Sequence, residues 1–218
     1  MATMSEKLQE IELKRRRLQL GVGFEEEIEK QHRKGKLTAR ERIDKLLDSG
    51  SFHEIDLWSD ACKTGFEIDE REIPGDAVVV GHGEVGGRPI YVWAQDTTIL
   101  GGTIAEQHIR KIVSVMEKAL QEMVPIVGIY DSEGMRVENM VHSHSYFTLS
   151  TMMRFQTISS GVIPQPSLIM GPCSGGAALS AALSDFVFMV KKTSHMYIAP
   201  PPPGIDPEEL GEARMHSR

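Results

Sequence analysis

Apolar residues recur at helical spacing near the start of the chain. Leu8, Ile11 and Leu18 share one helix face in a stretch rich in Glu, Lys and Arg, which predicts amphipathic helices lying on a surface or a partner. Thr38 and Glu41 have the spacing of a capping box and open a short helix that ends before residue 50. We predict a helical extension over residues 1–50, exposed to solvent and without a catalytic role.

β-branched and aromatic runs begin after Asp76. The runs 77–80 and 90–94 are joined through Gly86 and Gly87, which suit a tight hairpin because glycine accepts positive φ. Thr103 and Glu106 predict a second capping box and a helix that Pro125 ends. Its apolar side would carry Ile104, Ile112, Val115, Met116, Ala119 and Met123.

Strands and helices alternate in the remainder of the chain. The pattern predicts strands at 126–130, 167–170, 186–190 and 196–198, with helices at 147–158 and 175–183. Short connections between alternating elements indicate an α/β architecture with parallel pairing and right-handed crossovers. We assign residues 51–218 to one such domain, with the proline run 200–203 as an extended linker.

The composition narrows the functional classes. The 218 residues carry a formal charge of −7, which argues against a nucleic-acid partner because no basic stripe is available. No apolar run approaches the roughly 20 residues of a membrane span, and the N-terminus lacks the apolar core of a signal peptide. We therefore predict a cytoplasmic protein. Cys62 and Cys173 are far apart, so neither a zinc ribbon nor a disulfide framework is indicated.

Two turns at predicted carboxyl ends of strands are candidates for a site, because ligands of α/β folds gather there. They are residues 131–136 and the glycine-rich 171–177. The amides of Gly175 and Gly176 would stand at a helix N-terminus and hold the oxyanion of a thioester enolate. A glycine turn that serves only close packing of strand and helix explains the same residues equally well.

Two further patterns suggest other chemistry. Gly171, Cys173 and Gly175 fit G-x-C-x-G, a cysteine form of the nucleophile elbow, with Asp185, Asp206, His195 and His216 as possible triad partners. Pro172 is an awkward neighbour for a strained nucleophile, and Cys173 is better explained as a small, half-buried packing residue. His142 and His144 lack a marked third ligand, so we predict no metal site.

Blocks of sequence in a fixed order resemble the carboxyltransferase β subunit of biotin-dependent acyl-CoA carboxylases of the propionyl-CoA type. The blocks are KLTARERI at 36–43, PGD at 74–76, AQD at 94–96, GG at 101–102, YDS at 130–132, SGVIPQ at 160–165, IMGPCSGGA at 169–177 and DFVFMV at 185–190. No single block is diagnostic, but their order is specific. The resemblance is to the N-terminal half of that subunit.

This resemblance implies a crotonase-type fold, in which ββα units wind into a superhelix. It implies that Gly175 and Gly176 polarise the carbonyl of a CoA ester whose α-carbon exchanges a carboxyl group with carboxybiotin carried on a partner protein. The residues implied to line the acyl-CoA pocket are Ser132, Gly134, Met135, Arg136, Cys173, Ser174 and Ala177. The implied partners are a biotin carboxyl carrier or biotin carboxylase subunit, a second crotonase-like domain that binds biotin, and other copies in an oligomer.

The chain departs from the family pattern in three places. Glu133 and Met135 replace a glycine and an alanine, and Glu133 is a possible general acid or base. His142, His144, Tyr146 and Phe147 replace expected glycines nearby, which suggests a differently shaped acyl group. The run 200–203 replaces a glycine-proline-aspartate segment. The chain also stops where the second domain should begin, so we expect that it does not complete carboxyl transfer alone.

We therefore predict the acyl-CoA-binding part of a carboxyltransferase that stabilises a thioester enolate. The alternatives are a decarboxylase on the same scaffold, a crotonase-like hydratase or thioesterase that uses Glu133, a Cys173 hydrolase, and a non-enzymatic subunit whose helices dock a partner.

Overall fold

A computed structural model describes residues 3–140, 144–199, 201–206 and 210–217. Three helices begin the chain: α1 (Met4–Leu20), α2 (Glu25–Arg33) and α3 (Ala39–Leu46). The capping box predicted for α3 is confirmed, because the Thr38 hydroxyl accepts from Glu41 N–H and the Glu41 carboxylate accepts from Thr38 N–H. No described helix is long and apolar enough to cross a membrane.

The three N-terminal helices differ in how deeply they are buried. α1 has no buried residue, as expected for a solvated helix. α3 buries Ala39 and Ile43, which pack with Leu47 against a sheet face that includes Val92 and Ile129. The expectation of a solvated extension is therefore wrong for α3, because its apolar side closes one face of the sheet. The predicted domain boundary near residue 50 stays a prediction.

The described residues form a seven-stranded sheet in the order β1-β2-β3-β4-β5-β6, with β7 also paired to β5. The strands are β1 (His53–Ile55), β2 (Val78–Val85), β3 (Arg88–Gln95), β4 (Ile126–Ser132), β5 (Pro166–Ser174), β6 (Phe186–Met189) and β7 (His195–Tyr197). The predicted parallel pairing is confirmed from β3 onward, whereas β1, β2 and β3 pair antiparallel. Gly86 and Gly87 form the β2–β3 hairpin turn with φ of 58° and 72°.

Among the described residues of the second part of the chain, five helices follow: α4 (Glu106–Glu122), α5 (Val137–Met140), α6 (His144–Ser159), α7 (Gly176–Ala182) and α8 (Ala213–His216). Short 3-10 turns occupy Glu67–Glu70, Gly75–Ala77 and Leu100–Gly102. The main core lies between the sheet and α4, α6 and α7. The predicted apolar side of α4 is confirmed for Ile112, Val115, Met116 and Ala119. Ile104 is buried but precedes the helix, and Met123 caps the helix in the left-handed conformation and is 62% exposed.

Two local expectations are wrong for tertiary reasons. The capping box at Thr103 does not form: α4 is capped at Ala105 without a side-chain bond, and the Thr103 hydroxyl accepts from Arg136 Nε at 3.3 Å instead. The turn predicted to begin at residue 171 begins later, because β5 continues to Ser174. Its last three residues pair with β7, with Ser174 opposite Tyr197.

Candidate functional site

The two turns that the sequence singled out lie side by side. β4 and β5 are parallel neighbours, and Ser132 at the end of β4 is in register with Cys173 near the end of β5. The Ser174 hydroxyl donates to the Glu133 carbonyl at 2.8 Å. The 132–136 turn therefore borders the point where β5 runs into α7.

The start of α7 carries the amides on which the oxyanion hypothesis depends. Gly175 has φ 60° and ψ −124°, a conformation that suits glycine, and its N–H donates to the Tyr197 carbonyl at 3.1 Å. Gly176 and Ala177 are the first two helical residues, and their N–H groups have no acceptor within the described part of the chain. The open amides are thus at Gly176 and Ala177, whereas β7 engages the amide of Gly175.

Gly176 also meets a close neighbour from α6. A Cβ added at Gly176 would lie 2.8 Å from Cδ2 of Leu149. The absence of a side chain at this position lets α6 pack onto the first turn of α7. Residues 141–143, including His142, lie outside the described residues, as do the side chains of His144, Tyr146 and Phe147 and the residue Pro200.

The 132–136 turn is held by its own backbone and by a neighbouring loop. The buried Ser132 hydroxyl accepts from Gly134 N–H at 3.1 Å, and Glu133 N–H donates to the Gly101 carbonyl at 3.1 Å. Gly134 has φ 112°, and a Cβ there would lie 2.8 Å from Ser174 Oγ. The Gly134 amide, predicted as a ligand contact, is therefore already bonded to Ser132.

Glu133 and Met135, the two unusual residues of the turn, point to different environments. The Glu133 side chain is exposed and runs beside Gly101, where an added Cβ would lie 2.7 Å from Oε2. Burial raises the pKa of the Tyr197 phenol, and the nearby negative charge of Glu133 raises it further. Met135 is half-buried against the main core and bridges to Ile104. Of the two, only Glu133 presents a polar group at the surface.

Arg136 is occupied inside the protein. Its Nη1 donates to Asp76 Oδ1 at 2.6 Å and its Nη2 donates to the Thr103 carbonyl at 3.1 Å, with the side chain almost fully buried. The resemblance placed Arg136 among the ligand-contacting residues. The structure gives its guanidinium a different task, which is to hold the far end of the 132–136 turn.

Cys173 is a core residue. It is 0% exposed and belongs to the main core, as does the methyl of Ala177. Burial raises the pKa of the Cys173 thiol to about 12, the opposite of what a cysteine nucleophile needs. Neither a Cys173 hydrolase nor a ligand contact by this side chain fits that environment. The hydroxyl of the neighbouring Ser174 donates a hydrogen bond to the Glu133 carbonyl.

A buried carboxylate at the end of β4 was missed from the sequence. Asp131 Oδ1 accepts from Lys36 Nζ at 2.8 Å, and Oδ2 accepts from Arg42 Nη2 at 2.6 Å and Gln31 Nε2 at 3.0 Å. Thr97 Oγ1 adds a fourth bond at 3.0 Å. We call these five residues the Asp131 cluster. The blocks at 36–43 and 130–132 contain three of its members, but no spacing rule connects them.

A second buried network supports the same region from behind. His108 is fully buried, donates through Nδ1 to the Asp76 carbonyl at 2.9 Å, and accepts through Nε2 from Gln95 Nε2 at 3.3 Å. Gln95 Oε1 in turn accepts from Asp131 N–H at 3.2 Å. Burial lowers the pKa of His108 to about 3, so this ring is neutral near pH 7.

Two cavities in the described part of the chain lie away from the α7 amides. One of about 700 Å³ lies between the N-terminal helices and the loops around residues 57–75, and none of the predicted site residues line it. A second of about 520 Å³ reaches Thr97, Leu100 and Gly101, and so approaches the loop beside Glu133. The candidate site is therefore defined by the α7 amides and the 132–136 turn. Neither of the two cavities contains these amides.

Sheet topology and the α7 terminus together define a crotonase-like α/β protein, a class shared by its structural neighbours. A family model described as "Carboxyl transferase domain" matches residues 30–205, and the chain belongs to that family.

Relatives of known name agree with this assignment. The chain is 44% identical to a propionyl-CoA carboxylase carboxyltransferase subunit of Haloferax mediterranei, covering 99% of this chain and 42% of the relative. It is 42% identical to a methylmalonyl-CoA decarboxylase subunit alpha of Veillonella parvula, covering 100% and 43%. This chain thus spans less than half the length of these relatives.

A solved structure is similar over almost the whole chain. The transcarboxylase 12S structure, whose description names a hexamer assembly with methylmalonyl-coenzyme A bound, superposes with a TM-score of 0.93 at 37% identity. It matches 99% of this chain and 43% of that chain. The α/β fold implied by the sequence resemblance is thereby confirmed.

Proposed function

We propose that this chain is the acyl-CoA-binding part of a biotin-dependent acyl-CoA carboxyltransferase and that it stabilises the enolate of a CoA thioester. The observation that carries the proposal is the pair of open amides at Gly176 and Ala177, at the start of a helix beside the 132–136 turn. The membership of the chain in the carboxyl transferase family supports the same chemistry.

The α7 terminus suits a negative oxygen for two physical reasons. Free N–H groups at a helix N-terminus point outward and carry partial positive charge. Donors fixed by the fold need no reorganisation as charge develops, and one such donor is worth roughly 10²–10³ in kcat. A thioester carbonyl oxygen that meets Gly176 N–H and Ala177 N–H would gain most when the enolate forms. Gly175 then serves as the turn that aims them.

The same site would serve carboxylation and decarboxylation. Loss of a proton from the α-carbon, or loss of a carboxyl group from it, leaves the same enolate oxygen. One relative is a carboxylase subunit and another a decarboxylase subunit, so the amides alone do not select a direction. Carboxybiotin on a partner protein would supply or accept the carboxyl group. The residues that hold biotin would lie in the part of the family's architecture that this chain does not span.

Gly176→Pro is the sharpest test of the oxyanion assignment. Proline is tolerated at the first position of a helix, where it removes the N–H. Gly176→Ala is the matched control, because it places a Cβ against Leu149 in the same way but keeps the amide. In a complex reconstituted with the second carboxyltransferase domain and the biotin-bearing partner, we expect roughly a 10²-fold lower kcat for Gly176→Pro than for Gly176→Ala. Equal kcat values in the two variants, both folded by circular dichroism, would refute the assignment.

Calorimetric titration with acetyl-, propionyl-, methylmalonyl- and a branched acyl-CoA tests the ligand class. Binding of at least one thioester, more tightly than free coenzyme A, is expected. Binding of none would favour the non-enzymatic docking subunit. A hydratase or thioesterase would instead turn over acyl-CoA without biotin and lose that activity in Glu133→Gln.

A further inference from the structure

The Asp131 carboxylate joins three separate parts of the chain at one point. Gln31 belongs to α2, Arg42 belongs to α3, and Thr97 follows β3, and all three reach the end of β4. Lys36, between α2 and α3, completes the cluster. Asp131 and Arg42 are almost completely buried, and Lys36 is only 8% exposed at its side chain. The cluster is therefore an internal anchor of the N-terminal segment.

The charges in the cluster do not balance within it. Two cations, Lys36 and Arg42, face one carboxylate. Burial pushes the pKa of Asp131 upward, but Arg42 and Lys36 outweigh it and hold that pKa below its usual range. Burial lowers the pKa of Lys36. Removal of the Asp131 charge would leave two buried cations without their shared counterion.

Asp131 is also the residue from which the 132–136 turn departs. Its backbone carbonyl accepts from Thr97 Oγ1 at 2.9 Å, and its N–H donates to Gln95. At the other end, Arg136 is fixed by Asp76. The turn is thus suspended between two buried ion pairs, one of which is made by the N-terminal segment.

The carboxylate has little freedom to move within this arrangement. A Cβ added at Gly171 would overlap Asp131 Oδ1 and crowd Lys36 Nζ. The strand that leads to the α7 amides therefore presses against the same carboxylate. A displacement of Asp131 would therefore shift both the 132–136 turn and the strand β5 that leads to the α7 amides.

We propose that Asp131 is a positioning residue, through which the segment from Gln31 to Arg42 sets the geometry of the 132–136 turn. Its effect on ligands rests on the proposed function, since the turn borders the acyl-CoA site. The N-terminal helices then act as a structural clamp on that site.

The competing explanation is that Asp131 only fastens α3 to the sheet. The chain contains a matched control for this, because Arg40 of α3 makes a two-point ion pair with Glu54 of β1, at 2.6 and 2.8 Å. That pair also attaches α3 but, within the described part of the chain, makes no hydrogen bond or ion pair with the 132–136 turn. Glu54→Gln therefore removes an anchor of α3 without touching the turn, and Asp131→Asn removes one that leads into it.

Hydrogen exchange of the full chain, read by mass spectrometry on peptides that cover residues 130–137, tests the positioning directly. We expect exchange at the turn to accelerate at least tenfold in Asp131→Asn and less than twofold in Glu54→Gln, at temperatures equally far below each variant's Tm. Lys36→Met, which keeps the Arg42 pair, should give an intermediate rate and serves if Asp131→Asn does not fold. Equal exchange at the turn in the wild type and in the variants that lack Asp131 or Lys36 would overturn the proposal.

Calorimetry with propionyl-CoA then separates this proposal from the proposed function. Where the wild type binds, Asp131→Asn should raise Kd at least tenfold and Glu54→Gln less than twofold, and equal effects would overturn the positioning role. Where the wild type binds no acyl-CoA, the proposed function fails. The exchange rates at the turn still decide whether Asp131 positions it.

Discussion

Acidification should destabilise this protein through one buried histidine. His108 is fully buried between the Asp76 carbonyl and the Gln95 amide. Burial is the main cause of its pKa of about 3; the bond to Asp76 opposes the shift, and the charges of Arg136 and Lys111 add to it. The unfolded chain should titrate near 6.5. Between pH 6.5 and 3 the unfolded state therefore binds a proton that the folded state refuses.

The size of the effect follows from these two pKa values. Stability falls as the pH is lowered wherever the unfolded state binds more protons than the folded state, by up to about 1.4 kcal/mol per pH unit for one group. From pH 7 to pH 5, this predicts a loss of about 2 kcal/mol from His108. Because pH 5 is well above the pKa of His108 in the folded protein, the predicted loss of stability depends mainly on the pKa of this histidine in the unfolded chain. The contribution is fully present above about pH 6.5 and is lost progressively below it.

Urea unfolding at pH 7 and pH 5 measures this loss. To isolate the contribution of His108, the comparison is between the wild type and His108→Gln, whose amide can still donate and accept. His82→Gln, at an exposed position on β2, is the matched control for the loss of a histidine outside this buried network. We expect the wild type to lose about 2 kcal/mol more than His108→Gln over this range. Equal losses in the two proteins would refute the account of a neutral, buried His108.

Three further outcomes can be checked on the isolated chain. Gly171→Ala should lower the free energy of unfolding by about 3 kcal/mol in urea titrations, since its Cβ would overlap a buried carboxylate; a change below about 1 kcal/mol would contradict the packing. Ile43→Ala should lower the free energy of unfolding by about 2–5 kcal/mol, because α3 closes a sheet face. Leu8→Ala on the exposed α1 should change that free energy by no more than about 0.5 kcal/mol. Similar losses in the two variants would mean that α3 is not part of the core. In thiol titration with Ellman's reagent, the half-buried Cys62 should react and Cys173 should not until urea is added; two fast thiols in the native protein would reopen the cysteine hydrolase.

The resemblance and the structure differ in which groups they leave for a ligand. Arg136, Cys173 and the Gly134 amide, all inferred to line the acyl-CoA pocket, are engaged or buried within the protein. Within the described part of the chain, open amides remain at Gly176 and Ala177. The proposed site is therefore smaller than the inferred one, and it consists mostly of backbone.

Features with local causes could be predicted from the sequence. The Thr38 capping box depends on residues three apart, and the Gly86 and Gly87 turn depends on positive φ at adjacent positions. The apolar side of α4 follows from helical periodicity. The ordered blocks also sufficed to indicate the family. In each of these cases the interacting residues are close together in the chain, or the evidence is the order of the residues itself.

Tertiary contacts decided what local patterns left open. Thr103 does not cap α4, because its hydroxyl accepts a hydrogen bond from Arg136. The amide of Gly175 is not free, because β7 pairs with the end of β5 and the Tyr197 carbonyl accepts from it. Lys36 and Arg42 find their carboxylate 95 and 89 positions away. A charge in an exposed helix and a charge in a buried cluster look alike in sequence. Only the fold determines which charged side chain is buried away from water and therefore needs an oppositely charged partner.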